Sequence, residues 1–256
     1  MRRCGTLLLS VLFLAAFCGP ARSMDAQALY QKLKGSLLII YMKTGYTYGD
    51  NKDWGFVGTG FVIGDGTLAV TNQHVVIDKG TFISAKPLDA ARMVDVEVLR
   101  ISRDSDLAVI KLPGVLPPLE LAPDEIKVGQ EVAALGNPKG FMGTLSTGVV
   151  SGMRSFPKWR VKELVQTTVP VSPGSSGSPL VDGWGRVVGV ISSGFFKEQN
   201  LNFAVPVSKI RELLGHDLLP EAGEERRMPP LSTGENLDVR KAQDGAITII
   251  QKRKQQ

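Results

Sequence analysis

From Leu37 to Val205 the chain is a succession of short apolar, β-branched runs, each cut off by turn-forming residues. Runs of this length and spacing are too short for helices that bury a face, and they suit antiparallel strands joined by tight turns. One set reads Leu37–Tyr41, Val57–Ile63, Leu68–Thr71, Phe82–Ala85, Val94–Ile101 and Leu107–Leu112. A second reads Glu131–Leu135, Leu145–Ser151, Leu164–Val169, Pro179–Val181, Val187–Ile191 and Leu201–Val205. Gly64-Asp65-Gly66 and Asp182-Gly183-Trp184-Gly185 mark hairpins, Thr44–Gly55 reads as a loop, and the proline-rich stretch 113–123 reads as a linker between the sets. The expectation is an all-β fold of two antiparallel six-stranded barrels, with the functional cleft between the lobes.

Short helices flank the barrels. Asp25–Lys34 places Ala28, Leu29 and Leu33 on one face, with Asp25 able to cap and Gly35 to stop it. Val207–Leu214 places Val207, Ile210 and Leu214 together, with Ser208 as a cap and Gly215 as the stop. Residues 217–256 carry charge runs, Pro229-Pro230 and only one strand-like stretch, Ala246–Ile250, so a mostly disordered tail is expected.

Residues 1–23 read as a signal peptide. Arg2 and Arg3 form a basic start, Leu7–Phe17 an apolar centre, and Ala21-Arg22-Ser23 a small-x-small cleavage site that puts the mature start near Met24. The apolar centre is short for a membrane span, so no stable span is expected after leader removal; a retained N-terminal anchor is the alternative. Phe17 before Cys18 is bulkier than a lipoprotein signal uses. Both cysteines, Cys4 and Cys18, lie in the leader, which leaves no disulfide, thiol nucleophile or cysteine metal site in the mature chain, 24–216 plus tail. Three basic residues, Arg2, Arg3 and Arg22, also leave with it, so 27 remain against 25 acidic ones, a net of +2. That balance gives nucleic-acid binding no support.

The chemistry centres on Pro173-Gly174-Ser175-Ser176-Gly177-Ser178-Pro179-Leu180, a serine among glycines between two apolar runs. A nucleophile on a tight turn needs such glycines, and so do backbone N–H groups that converge on an oxyanion. Ser176 has Gly174 two before it and Gly177 directly after it, and the Gly174 and Ser176 amides would form the oxyanion hole; Ser172, Ser175 and Ser178 are its rivals. His74 ends an apolar strand after Thr71 and Asn72 and is one of only two histidines; His216 lies beyond the last helix. As general base His74 would take a serine proton that an unperturbed hydroxyl does not release. The orienting carboxylate is Asp106, which enters the strand Leu107–Leu112, or Asp104. The order His, Asp, Ser is that of the chymotrypsin-type triad. No clustered His/Asp/Glu set offers a metal site, and no cofactor is implied.

These stretches resemble the HtrA (Deg) serine proteases, a branch of the trypsin-like fold. The likeness runs through Gly58-Thr59-Gly60-Phe61-Val62-Ile63, Thr71–Val76, Asp106–Leu112, Gly136-Asn137-Pro138, Thr147–Gly152, Gln166–Leu180 and Asn202–Pro206, in order over about 36–214. It implies a periplasmic or secreted serine endopeptidase acting on unfolded or damaged polypeptides; a non-turnover binding protein or chaperone using the same cleft is the alternative. It also implies a homo-oligomer, a trimer, and a strand at Ser192, Ser193 and Gly194 that pairs with substrate backbone. Pro170 stands at the base of the primary pocket, with Ser192–Gly194 and Asn202–Ala204 as its wall, which implies cleavage after small or medium uncharged residues and not after Lys or Arg. Three departures stand out: the stretch after Gly215 is short for a PDZ domain, Ser178 replaces a second glycine, and Ser175 replaces an acidic or amide residue.

Overall fold

The computed structural model describes residues 24–43, 54–77, 82–123, 126–156, 161, 163–192, 201–218, 238–241 and 247–250. Helix α1 spans Ala26–Leu33. Asp25 caps it, its Oδ1 accepting from the Ala28 N–H at 3.0 Å, an interaction that contributes about 1 kcal/mol. Leu29 and Leu33, one turn apart, are the buried residues. A short 3-10 turn, Lys34–Ser36, then feeds the first barrel.

Strands β1 (Leu37–Lys43), β2 (Trp54–Ile63), β3 (Leu68–Thr71), β4 (Ile83–Pro87), β5 (Val94–Ser102) and β6 (Leu107–Lys111) close in the order β1-β2-β3-β6-β5-β4. Strands β7 (Glu131–Gly136), β8 (Thr144–Ser155), β9 (Glu163–Thr167), β10 (Pro179–Val181), β11 (Val187–Ser192) and β12 (Asn202–Pro206) close as β7-β8-β9-β12-β11-β10. The two barrels follow the same path, all pairs antiparallel. Closure leaves neither sheet a free edge. The two expected sets of six are both present, with ends displaced by a few residues; Trp54 and Gly55, assigned to a loop by sequence, belong to β2.

The continuous apolar runs arise because many strands are buried on both faces. On β6, Ala108 and Ile110 join Leu38, Ile40 and Val62 inside the first barrel. Leu107 and Val109, one residue out of phase, join Phe61 and Val70 in an apolar layer shared with Leu135, Leu164 and Phe203 of the second barrel. On β12, Ala204 faces the second interior with Val132, Val165 and Ile191, while Phe203 and Val205 belong to the shared layer. Full burial of a side chain such as Leu107 or Ile110 contributes about 1.5–3 kcal/mol.

The linker 113–123 is clamped to both barrels. Leu116 and Leu119 donate their N–H groups to Gly66 O (3.0 Å) and Val62 O (2.8 Å), and Ala122 donates to Val187 O (2.9 Å). Helix α2 (Gln73–Val76) is a single turn after β3. Helix α3 runs Val207–Leu218, past the expected stop. Gly215 is a break inside it, with φ 60 and ψ −175. Carbonyls orphaned by that break need donors, and Arg100 Nη1 on β5 supplies them to Leu213 O (3.0 Å) and Leu214 O (2.7 Å). In the tail, β13 (Asp238–Lys241) pairs antiparallel with β14 (Ile247–Ile250), giving the strand expected near Ala246–Ile250 a partner that the sequence did not announce. The leader, the remainder of 219–256, and Ser193 and Gly194 lie outside the described residues. No described helix is long and apolar enough to cross a membrane.

Candidate active site

β3 ends at Thr71, and the chain coils instead of extending further. His74 therefore stands on the helical turn α2, not at a strand end. The turn is held by Asp106, which closes the bend before β6. Its backbone φ is 53, a left-handed conformation that Asp tolerates better than most residues. That twist presents both its carbonyl and its carboxylate to α2. The carbonyl accepts from Gln73 N (3.1 Å) and Asn72 Nδ2 (3.0 Å). The carboxylate accepts from the His74 N–H (3.1 Å) and lies 3.0 and 2.9 Å from His74 Nδ1. Ser192 Oγ donates to the same carboxylate at 3.0 Å. Asp106 is 4 % exposed, while the His74 side chain is 41 % exposed. Asp104, the other carboxylate weighed, is exposed.

The serine loop belongs to the second barrel but is bonded to the first. Thr59 on β2 donates its N–H to Ser176 O (2.8 Å) and its hydroxyl to Gly174 O (2.8 Å). Thr71 Oγ1 supports Thr59 by donating to its carbonyl at 2.6 Å. Pro173 O accepts from Lys139 N (2.8 Å), and Ser175 O accepts from Ser178 N (3.0 Å). Four successive carbonyls, 173 to 176, are thus turned away and pinned. Because a peptide plane is rigid and trans, pinning the carbonyls of 173 and 175 also fixes the directions of the Gly174 and Ser176 N–H groups. Gly177 has φ 84, and a Cβ there would run into Thr59 O and Thr71 Oγ1, so glycine is required twice over.

Gly58 joins the two halves. A Cβ on it would meet Val75 Cγ2, next to His74, at 2.7 Å and Ser176 O at 3.0 Å. The His74 turn and the serine loop therefore converge on one residue of β2 that has no side chain. Of the rival serines, Ser175 Oγ accepts from Ser172 N at 3.2 Å, and Ser178 is wholly buried with no hydrogen-bond partner for its hydroxyl among the described residues. Ser178 Oγ occupies the space above Gly136, where a Cβ would collide with it.

The remaining sequence candidates divide. Ser192 is buried with its hydroxyl on Asp106. Pro170 is exposed, Asn202 is half-buried opposite Thr167, and Ala204 is fully buried opposite Ile191 and Val165. Among the described residues, no three His, Cys, Asp or Glu side chains cluster in a way that could hold a metal. Sequence reading assigned no role to Thr59, Thr71, Asn72 or Lys139. Thr59 stands inside the Gly58–Ile63 motif, but its bonds to the serine loop are with residues more than a hundred positions away.

The profile of the trypsin-like peptidase domain matches residues 58–190, just over half of the 256 residues. The chain belongs to the trypsin-like peptidase domain family. A relative from Pseudomonas fluorescens, described as a probable periplasmic serine endoprotease DegP-like, is 35% identical over 162 residues, covering 59% of this chain and 33% of that protein. The chloroplastic Protease Do-like 5 of Arabidopsis thaliana is 33% identical over 175 residues, covering 60% of this chain and 54% of that one. The chain thus spans about a third to a half of the length of these curated relatives. Among solved structures, Deg5 aligns with a TM-score of 0.59 and 29% identity, over 72% of this chain and 89% of that one. The HtrA-type protease AlgW with a tripeptide shares the fold, with a TM-score of 0.63 and 23% identity, over 73% of this chain and 62% of that one.

Proposed function

We propose that this member of the trypsin-like family is a serine endopeptidase in which Ser176 is the nucleophile, His74 the general base and Asp106 the group that orients it. The observation that carries the reading is the buried Asp106 carboxylate, held against Nδ1 of a half-exposed His74. A carboxylate at Nδ1 fixes the tautomer in which Nε2 receives the serine proton, and it stabilises the imidazolium that forms. Ser176 Oγ then attacks the peptide carbonyl, and the oxyanion takes hydrogen bonds from the Gly174 and Ser176 N–H groups. Collapse of the tetrahedral intermediate breaks the C–N bond, with His74 returning its proton to the leaving amine. Water, deprotonated by His74, hydrolyses the acyl-enzyme and frees Ser176.

The substrates are polypeptides in unfolded or damaged proteins, cut after small or medium uncharged residues and not after Lys or Arg, since neither Pro170 nor Val171 can pair a cation. Residues 1–23 act as an export leader, the mature chain works in the periplasm or outside the cell, and it assembles as a homotrimer. The names of the relatives support the periplasmic reading. A fluorophosphonate probe on the exported protein tests the core of the proposal: it should label wild type and not Ser176→Ala, and wild type should digest a denatured protein mixture at mappable sites. Labelling that persists in Ser176→Ala would remove Ser176 from the role.

A further inference from the structure

The main-chain nitrogen of Met24 lies 3.4 Å from Oε2 of Glu131, the first residue of β7. The Met24 side chain packs on the apolar layer between the barrels, and its neighbour Asp25 is fixed as the cap of α1. Packing on one side and a cap on the other thus set the position of this nitrogen. The bond that precedes it, Ser23–Met24, is also the bond that follows the small-x-small triplet Ala21-Arg22-Ser23. An observation from the leader and one from the fold meet at the same atom. We propose that Ser23–Met24 is a processing site, and that the α-ammonium group freed there is received by the carboxylate of Glu131.

The step is a hydrolysis carried out by a leader-removing endopeptidase. Water adds across the C–N bond: its hydroxyl goes to the Ser23 carbonyl carbon, one hydrogen goes to the Met24 nitrogen, and the new amine takes a further proton from solvent near neutral pH. Before the cut Met24 offers Glu131 one neutral N–H; after it, the contact is charge-assisted. A cation just before a helix opposes the helix's own partial positive charge, and α1 has no acidic residue in its first turn. Asp25 at the cap and Glu131 across the barrel are the two carboxylates that offset it. At its other end α1 runs through a short turn into β1 of the first barrel, while Lys32 Nζ donates to Trp184 O of the second barrel at 2.7 Å. The freed amine turns the Met24–Glu131 contact, beside that of Lys32, into a charged tie from α1 to the second barrel.

This inference rests on the export reading above, and its test separates the two. The full chain with its leader is expressed in a bacterial host, and the product is purified from the cell envelope. Intact mass and N-terminal sequencing then locate its start. Titration of the ¹³C-methylated α-amine is followed by NMR in wild type, Glu131→Gln and Glu131→Lys. The expected start is Met24, with a wild-type amine midpoint higher than that of Glu131→Gln by about half a unit or more, and Glu131→Lys lower still. A product that begins elsewhere overturns the processing site, and one that keeps its leader overturns the export reading too. A Met24 start with the same midpoint in all three proteins overturns the role of Glu131 and leaves export standing.

Discussion

Thr59 and Ser176 are bonded backbone to backbone, the amide of Thr59 on β2 donating to the carbonyl of Ser176 at 2.8 Å. The Thr59 hydroxyl adds a second tie, to Gly174 O. The first barrel therefore holds the loop of the second in shape. Thr59→Val keeps the volume and the backbone bond but removes the hydroxyl. Stability should fall by about 1–2 kcal/mol, measured by urea melts. Turnover should fall through kcat with KM little changed, because the loss is in oxyanion geometry. A KM effect alone would mean that the Thr59 hydroxyl acts on substrate binding.

Gly136 and Ser178 form a complementary pair across β7 and the serine loop. Gly136→Ala should destabilise by about 1–3 kcal/mol through overpacking against Ser178. Ser178→Gly removes both the obstruction and a buried hydroxyl that has no partner among the described residues, so the double variant should recover most of the loss. Additive losses in a thermal-melt double-mutant cycle would show that the two positions do not share this space.

Ser176 and His74 should act as one unit. Ser176→Ala and His74→Ala are each expected to remove nearly all hydrolysis, and the double variant should be scarcely worse than either. The check is single-turnover cleavage of an unfolded substrate, and a double variant slower by the product of the two single effects would argue that the residues act independently.

Asp106 is buried against His74, and Asp104 is exposed in the preceding bend. Asp106→Asn should lower kcat by on the order of 10⁴, the loss known for the equivalent change in a chymotrypsin-type triad. Asp104→Asn should be nearly silent, and equal losses would reassign the carboxylate. Ser192→Ala, which strips one donor from Asp106, should cost less than Asp106→Asn, because the carboxylate itself stays on His74 Nδ1.

Lys209 on α3 is held above its ordinary range first by its hydrogen bond to Glu212, with Glu163 adding to it. A raised folded-state value means the contribution is present below the unfolded lysine range and is lost as pH rises through the folded value. Melting temperature should therefore lose this contribution only in strongly alkaline buffer. Lys209→Gln should lower the melting temperature at neutral pH and flatten part of that alkaline decline. Tyr41, raised by burial, acts in the same alkaline direction, so the comparison with wild type is what isolates Lys209.

Local chemistry made much of the architecture legible. Period-2 and continuous apolar runs, punctuated by Gly, Pro and Asp, located the strands, because pleated backbone, burial and turn geometry are properties of a few neighbouring residues. Asp25 was readable as a cap for the same reason. His74, Asp106 and Ser176 stood out by residue type and order. Tertiary structure decided the rest. It moved His74 from a strand end to a helical turn, since the carbonyl and carboxylate of Asp106, 32 residues on, take the Gln73 and His74 amides. It turned Ser192 toward Asp106 across 86 residues, and it made Gly58 a meeting point for two segments distant in the chain. Gly215 illustrates the limit: locally it is a helix stop, but Arg100 from another strand supplies donors for the preceding carbonyls, and the helix resumes beyond it. Hydrogen bonds between residues far apart in sequence leave no periodic trace in it, so their partners become known only when the barrels close.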